Sequence, residues 1–277
     1  MARVCFVCNK NIASWAQVLP IDEDLVKTWK LSKGLYSVFT RREGRYCPNC
    51  KNSERTIALA RSIPKLLGLK VKCFNDFINY ANEQNISIAE INSCGQLHGQ
   101  LSRIDNLHYS EYQTGSESKK VPHEDIQELT YKDNSFDIVL HSETIEHIPD
   151  PNLAIHECRR VLKESGICIF TVPVIWNRLT LQRIEIENST NVKYLDSKSY
   201  HGYGREDCIV WWEFGRDLVE NLKVKVIAIQ PFAQNYIFYT YKHKENESRI
   251  KCIIYRAIES IATTKILNFK QKEGKCK

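Results

Sequence analysis

The stretch HEDIQELTYKDNSFDIVLHSETIEHIPDPNLAIHECRRVLKESGICIFTVP, residues 123–173, decides the fold. Its apolar run at 136–141 has the length and the Phe, Ile, Val and Leu content of a buried strand. Asp150 and Pro151 then open a helix in which Ala154, Cys158, Val161 and Leu162 recur at i, i+4, i+7 and i+8, the spacing of one apolar face. Gly166 is expected to end that helix after a short turn, and 166–172 reads as the next strand. Two strands joined by an amphipathic helix are the unit of a parallel sheet, because such a crossover returns the chain to the same edge.

Working outward, further short apolar runs read as strands at 87–91, 106–110, 223–229 and 236–241, which makes six. The last two are joined only by residues 230–235, too few for a helical crossover, so the final strand is expected to be antiparallel. Residues 250–261 keep a helical period through Ile250, Ile253, Ile254, Ala257, Ile258 and Ile261, ahead of a polar, lysine-rich end. The expected division is an N-terminal module with a linking helix at 1–68, the α/β domain at 69–243, and a helix with a basic tail at 244–277.

Upstream of residue 70 the sequence shows little helical period until Ser53, whose hydroxyl is placed to cap a helix through Ile57, Leu59, Ala60, Ile63 and Leu66. Cys5 and Cys8 form one C-x-x-C and Cys47 and Cys50 another. Two such turns aim four thiolates at one centre, the ligand set of a closed, structural, tetrahedral zinc site in a zinc-ribbon-like module. The insert between the pairs exceeds the usual spacing of roughly 15–20 residues, so Trp15, Trp29, Tyr36 and Phe39 must fill it. A redox reading fits less well, since neither pair begins a helix after a strand.

The other seven of the 11 cysteines are scattered singly, as free thiols are in reducing compartments. The first residues lack the apolar core of a signal peptide, and no uncharged apolar run approaches the roughly 20 residues of a membrane span. A cytoplasmic protein is expected. Lys and Arg exceed Asp and Glu by 39 to 33, and the whole excess lies in residues 242–277, where 10 basic residues meet 4 acidic ones. The neutral body argues against a nucleic-acid-binding domain, which needs a basic face for phosphates; only the tail invites an electrostatic partner.

A strand ending in an acidic residue and a tight loop, followed about 20 residues later by another acidic residue closing the second strand, is the arrangement that holds dinucleotide-like ligands. Here these are Glu90 with the loop Asn92, Ser93, Cys94 and Gly95, and then Glu111. Loop amides can approach a ligand, and the Glu111 carboxylate can accept bonds from both ribose hydroxyls.

With these residues in view, the segment 88–218 resembles the class I S-adenosylmethionine-dependent methyltransferases. The resemblance is carried by the acidic loop at 123–128, the F-D-x-V strand, the E-H-I turn at 146–148 and the R-V-L-K helix. The tripeptide Ser110-Glu111-Tyr112, with Tyr200-His201-Gly202 and Trp212-Glu213-Phe214-Gly215 downstream, is similar to a methyltransferase type 11-like sub-branch. The resemblance implies a Rossmann-like, doubly wound, mainly parallel sheet with the cofactor across the carboxyl ends of its strands. It implies Glu111 and its neighbour Tyr112 at the ribose, Asp125 near the adenine amino group, Ile126 against the ring, and His141 and Ser142 at the methionine end. The departure is the first loop, where the usual E-x-G-x-G-x-G has become Glu90-Ile91-Asn92-Ser93-Cys94-Gly95-Gln96 and a different loop geometry is required.

Methyl transfer to a hydroxyl needs alignment and a base. His147, beside Glu146 at the rim beyond the third strand, is the candidate base, with Glu146 to orient it or hold substrate. His201 and Tyr203, set between glycines, are second candidates, and both sets also fit purely structural turns. The acceptor class implied is a small molecule or glycan. An RNA methyltransferase docking through the cysteine module and tail, and a non-catalytic S-adenosylmethionine-binding protein, are the alternatives.

Overall fold

The computed structural model describes residues 3–21, 23–113, 120–188, 191–200, 209–229 and 232–242. His201, Tyr203 and the expected C-terminal helix and tail lie outside the described residues. The helices α1 (Glu23–Thr28), α2 (Lys33–Gly44), α3 (Glu54–Leu66) and α4 (Phe74–Glu83) precede the sheet, and α5 (Pro151–Val161) crosses over it. The sheet strands are β1 (Ile88–Ile91), β2 (Leu107–Ser110), β3 (Phe136–Ser142), β4 (Leu162–Thr171), β5 (Lys225–Ile229) and β6 (Phe232–Tyr241).

Their order is β5-β6-β4-β3-β1-β2. The strands β4, β3, β1 and β2 are parallel, and β6 runs antiparallel to both of its neighbours, as the short 230–235 link requires. All four residues of β1 are buried, and in β3 only Asp137 is not, the pattern of strands covered on both faces. Asp137 stays at the amino end of β3, where it accepts from the Ser87 amide at 2.9 Å and from Lys163 at 2.7 Å.

One face is covered by α5. The Asp150 side chain accepts from the amides of Asn152 and Leu153, Pro151 sits in the first turn, and Ala154, Ile155, Cys158 and Val161 are buried against the sheet. The helix ends at Val161, earlier than the periodicity predicts, and Leu162 already pairs with Phe136 in the sheet. The register then shifts, because Ile138 pairs with Ile167. Gly166 serves this bulge and not a helix end: a Cβ there would stand 2.9 Å from the Lys163 carbonyl and 3.0 Å from that of Phe136.

The other face is covered by α3, which crosses β4, β5 and β6. The Ser53 hydroxyl caps it through the Thr56 amide as expected, and Ile57, Ala58, Leu59, Ala60 and Ile63 are all at most 1% exposed. Each fully buried large aliphatic side chain contributes about 1.5–3 kcal/mol, so the helix that follows the second cysteine pair is a principal wall of the core.

The insert between the cysteine pairs is helical, contrary to the weak period of its sequence. Ser32 caps α2 through the Leu35 amide, but Leu35, Tyr36 and Val38 stay half-exposed and only Phe39, Arg42 and Gly44 are buried, too few apolar positions to make a face. Ile21, Trp29, Leu31 and Phe39 form a small core with Ile175, and the Trp29 ring nitrogen donates to Ser199 at 2.9 Å. The insert thus rests on the segment leaving the carboxyl end of β4. Among the described residues no helix is long and apolar enough to cross a membrane.

Candidate active site

The chain leaves β1 for β2 on one side and β3 lies on the other, so the carboxyl ends of β1 and β3 flank the switch point, where open α/β sheets carry a ligand crevice. In the loop after β1, Asn92 has φ 56° and Gly95 φ 63°. Asn92 stands where the resemblance expects a glycine, and asparagine is among the few side chains that tolerate the left-handed region. Its amide donates to the Ser110 carbonyl at 2.9 Å, and its side-chain oxygen accepts from the Tyr112 amide at 2.8 Å, which stitches the loop to the end of β2.

Glu90 is fully buried, and its two oxygens meet the Cys94 amide at 2.8 Å and His98 Nδ1 at 2.6 Å. It braces its own loop, and burial pushes its carboxyl up, against the hydrogen bonds from Cys94 and His98. Glu111 closes β2; its Oε1 accepts from the Ser93 amide at 3.1 Å and from the Tyr109 hydroxyl, and Oε2 has no hydrogen-bond partner among the described residues. Burial, reinforced by Glu111, pushes the Tyr109 hydroxyl up, so it remains a donor. Tyr112 is exposed, with its ring 5.3 Å from that of His123. Asp125 caps the Gln127 amide at 2.8 Å, and Ile126 is buried beside it.

At the end of β3, His141 and Ser142 point to opposite faces. His141 is fully buried and stacks on Phe170 with ring centroids 4.6 Å apart, next to Cys158 and Cys168. Ser142 turns the other way, 2.7 Å from the Thr171 hydroxyl and within reach of an Arg55 amino group. Next comes Glu143 at φ 53°, a left-handed non-glycine at a strand end. Its two oxygens take a fork from Arg42 at 2.7 and 3.0 Å. Arg42 also reaches the Val172 carbonyl at 3.1 Å and Glu43, while Arg55 Nε donates to Glu43 at 2.9 Å. Against burial, which would raise it, the Arg42 and Arg55 charges hold the Glu143 carboxyl down to about 2.

This network was not foreseen from the sequence. Arg42, Glu43 and Arg55 come from α2 and α3, far along the chain from Glu143, and the only local signal is charge inside otherwise packed helices. With Phe39, Val172, Val174, Trp176 and Tyr236, Arg42 lines a small pocket.

Glu146 is 1% exposed, and burial, then repulsion from Glu143, pushes its carboxyl well above the ordinary carboxylate range. His147 Nδ1 lies 2.9 Å from the Ile209 carbonyl, the geometry of a donor to that oxygen, and Nε2 lies 3.7 Å from a Glu146 oxygen. Glu146 and His147 therefore meet at one edge of the site, whereas His201 lies outside the described residues.

The four cysteine sulfurs converge: Sγ of Cys5 and Cys50 are 3.7 Å apart, those of Cys8 and Cys47 3.8 Å, and all four lie within 4.8 Å. A tetrahedron with metal–sulfur bonds of about 2.3 Å has an edge of about 3.8 Å, so this geometry fits one zinc ion without rearrangement. The turns match each other, with Asn9 donating to the Cys5 carbonyl and Lys51 to that of Cys47, both at 2.8 Å. Asn9 and Lys51 each take the left-handed region, φ 56° and 62°.

Residues 93–170 match the family described as Methyltransferase domain. No curated protein sequence matches the chain. Among solved structures, a SAM-dependent methyltransferase from Aquifex aeolicus is 13% identical, with 68% of this chain and 91% of that one covered at a TM-score of 0.36. A Bacillus halodurans C-125 protein is 18% identical over 31% of this chain and 38% of its own, at a TM-score of 0.26. The YcgJ protein of Bacillus subtilis is 14% identical over 36% and 51%, at 0.23. The chain spans 38%, 59% and 58% of the first three structures it matches. The matched segment runs from the loop after β1 to the end of β4, and over that stretch the chain is similar to the methyltransferase domain family.

Proposed function

We propose that the chain is an S-adenosylmethionine-dependent methyltransferase acting at a hydroxyl of a small-molecule or sugar acceptor. The observation that carries the reading is the switch point itself: the segment similar to the methyltransferase domain family supplies a left-handed loop after β1, a carboxylate with an available oxygen at the end of β2, and the left-handed end of β3 on the other side. When bound, S-adenosylmethionine supplies an electrophilic sulfonium methyl. Glu111 would hold the ribose through Oε2, the loop amides would face the methionine portion, and Asp125 with Ile126 would edge the adenine. His141 is assigned a supporting place beneath Ser142.

His147 is assigned as the base that takes the hydroxyl proton, and the buried Glu146 holds its neighbour in place. One zinc ion bound by Cys5, Cys8, Cys47 and Cys50 is assigned a structural role, since four thiolates leave no open position. Titration with cofactor, followed by assay for S-adenosylhomocysteine released with hydroxylated acceptors, tests the reading. Binding without turnover across such acceptors would favour a non-catalytic binding protein, and turnover on RNA alone would favour the nucleic-acid alternative.

A further inference from the structure

The second cysteine turn reaches the cofactor loop through its own side chains. Asn52 is 1% exposed, and its amide donates to the Cys50 carbonyl at 3.4 Å and to the Gln96 carbonyl at 3.3 Å. One amide thus joins the turn that carries two thiolates to the loop that follows β1. In the first turn of α3, the Thr56 methyl lies 3.7 Å from where a Cβ on Gly95 would stand, so the helix backs the same loop. Arg55 lies between them and joins Glu43 of α2 to the Ser142 hydroxyl on the other side of the crevice. A loop with glycine only at 95 has little freedom of its own to form a cradle. The end of β2 holds its left-handed turn at Asn92, and the second cysteine turn and α3 hold its far end at Gly95 and Gln96.

We propose that Asn52 and Arg55 are positioning residues through which the four-cysteine module holds the 92–97 loop and Ser142 in the cofactor-binding form, so that metal binding and cofactor binding are coupled. The proposal rests on the methyltransferase reading above. Coupling is reciprocal: whatever factor the metal adds to cofactor affinity, the cofactor adds to metal affinity.

The test uses the full chain with its metal and S-adenosylhomocysteine as the probe. Calorimetry first establishes that S-adenosylhomocysteine binds; zinc affinity is then measured by equilibrium competition with a chelator, with and without saturating S-adenosylhomocysteine. Zinc affinity should rise with the probe by about 5–150-fold, the range of coupled sites. Asn52→Ala and Arg55→Lys should remain folded with one equivalent of zinc, yet bind S-adenosylhomocysteine more weakly and lose most of that factor. A merely structural role would lower the melting temperature and leave the factor intact. Equal zinc affinity with and without bound S-adenosylhomocysteine overturns the proposal, as do wild-type probe affinities in both variants or a folded chain that holds no zinc. If the wild-type chain does not bind S-adenosylhomocysteine at all, the methyltransferase reading fails first and takes the coupling with it.

Discussion

Glu111 is where the residue-level account is most exposed. Its Oε1 already secures Ser93 and Tyr109, so the oxygen offered to the cofactor is Oε2. Glu111→Ala should remove a charge-assisted contact of about 1.5–3 kcal/mol, a loss of roughly ten- to a hundredfold in S-adenosylmethionine affinity by calorimetry; unchanged affinity would move the cofactor elsewhere. His147→Ala should bind cofactor normally and lose about 10²–10⁴-fold in methyl transfer to a hydroxyl acceptor, the usual contribution of a base. Near-full turnover would return His147 to a structural role. Glu146 offers a pH test. Burial raises its pKa in the fold above the ordinary 4.5 of the unfolded chain, so its presence lowers stability as pH rises through that value toward its raised folded pKa. Glu146→Gln should therefore melt higher than wild type at neutral pH, and a lower melting temperature would show that the charged form is used. The carboxylates closing β1 and β2 were legible because strand-end acids recur at fixed spacing. The left-handed turn at Glu143 and its fork to Arg42 were not, since both depend on a helix 101 positions away in the chain.

At the scale of elements, the strand ends and the α5 cap were readable from apolar runs and from Asp150-Pro151, while Gly166 misled: a glycine near a helix end looks like a terminator, and here it makes room for a bulge. The cysteine turns were readable from spacing alone. The helices between them were not, because α2 buries too little of itself to leave a period. Cys47→Ser should lose most of the bound zinc, measured by elemental analysis of protein purified without added metal, and should destabilise α2 and the first turn of α3. Cys168→Ser, deep in the sheet, should retain one equivalent. Persistent sub-stoichiometric zinc in folded wild-type protein would dismiss the metal assignment.

Across the whole molecule, sequence periodicity was enough for the six-stranded α/β sheet and its antiparallel final strand, because burial on both faces writes itself into continuous apolar runs. How the N-terminal cysteine module joins that sheet was hidden, because docking is written in single residues: Ile175 under Trp29, Arg42 on Glu143, Asn52 on Gln96. The ion-pair network at this junction gives an acid limit. Glu143 titrates well below its ordinary value, so the stability it contributes is full above 4.5 and is lost as pH falls toward about 2. Glu143→Gln would leave Arg42 with Glu43 and the Val172 carbonyl but without its forked partner, and should cost about 1–3 kcal/mol at neutral pH in denaturant unfolding, with a flatter acid limb. The central claim, that the switch-point crevice is a methyl-transfer site, is tested most directly by calorimetric titration of the full chain with S-adenosylmethionine. One site per chain, lost or sharply weakened in Glu111→Ala, is the predicted result; no binding to wild-type protein carrying its full zinc complement would contradict it.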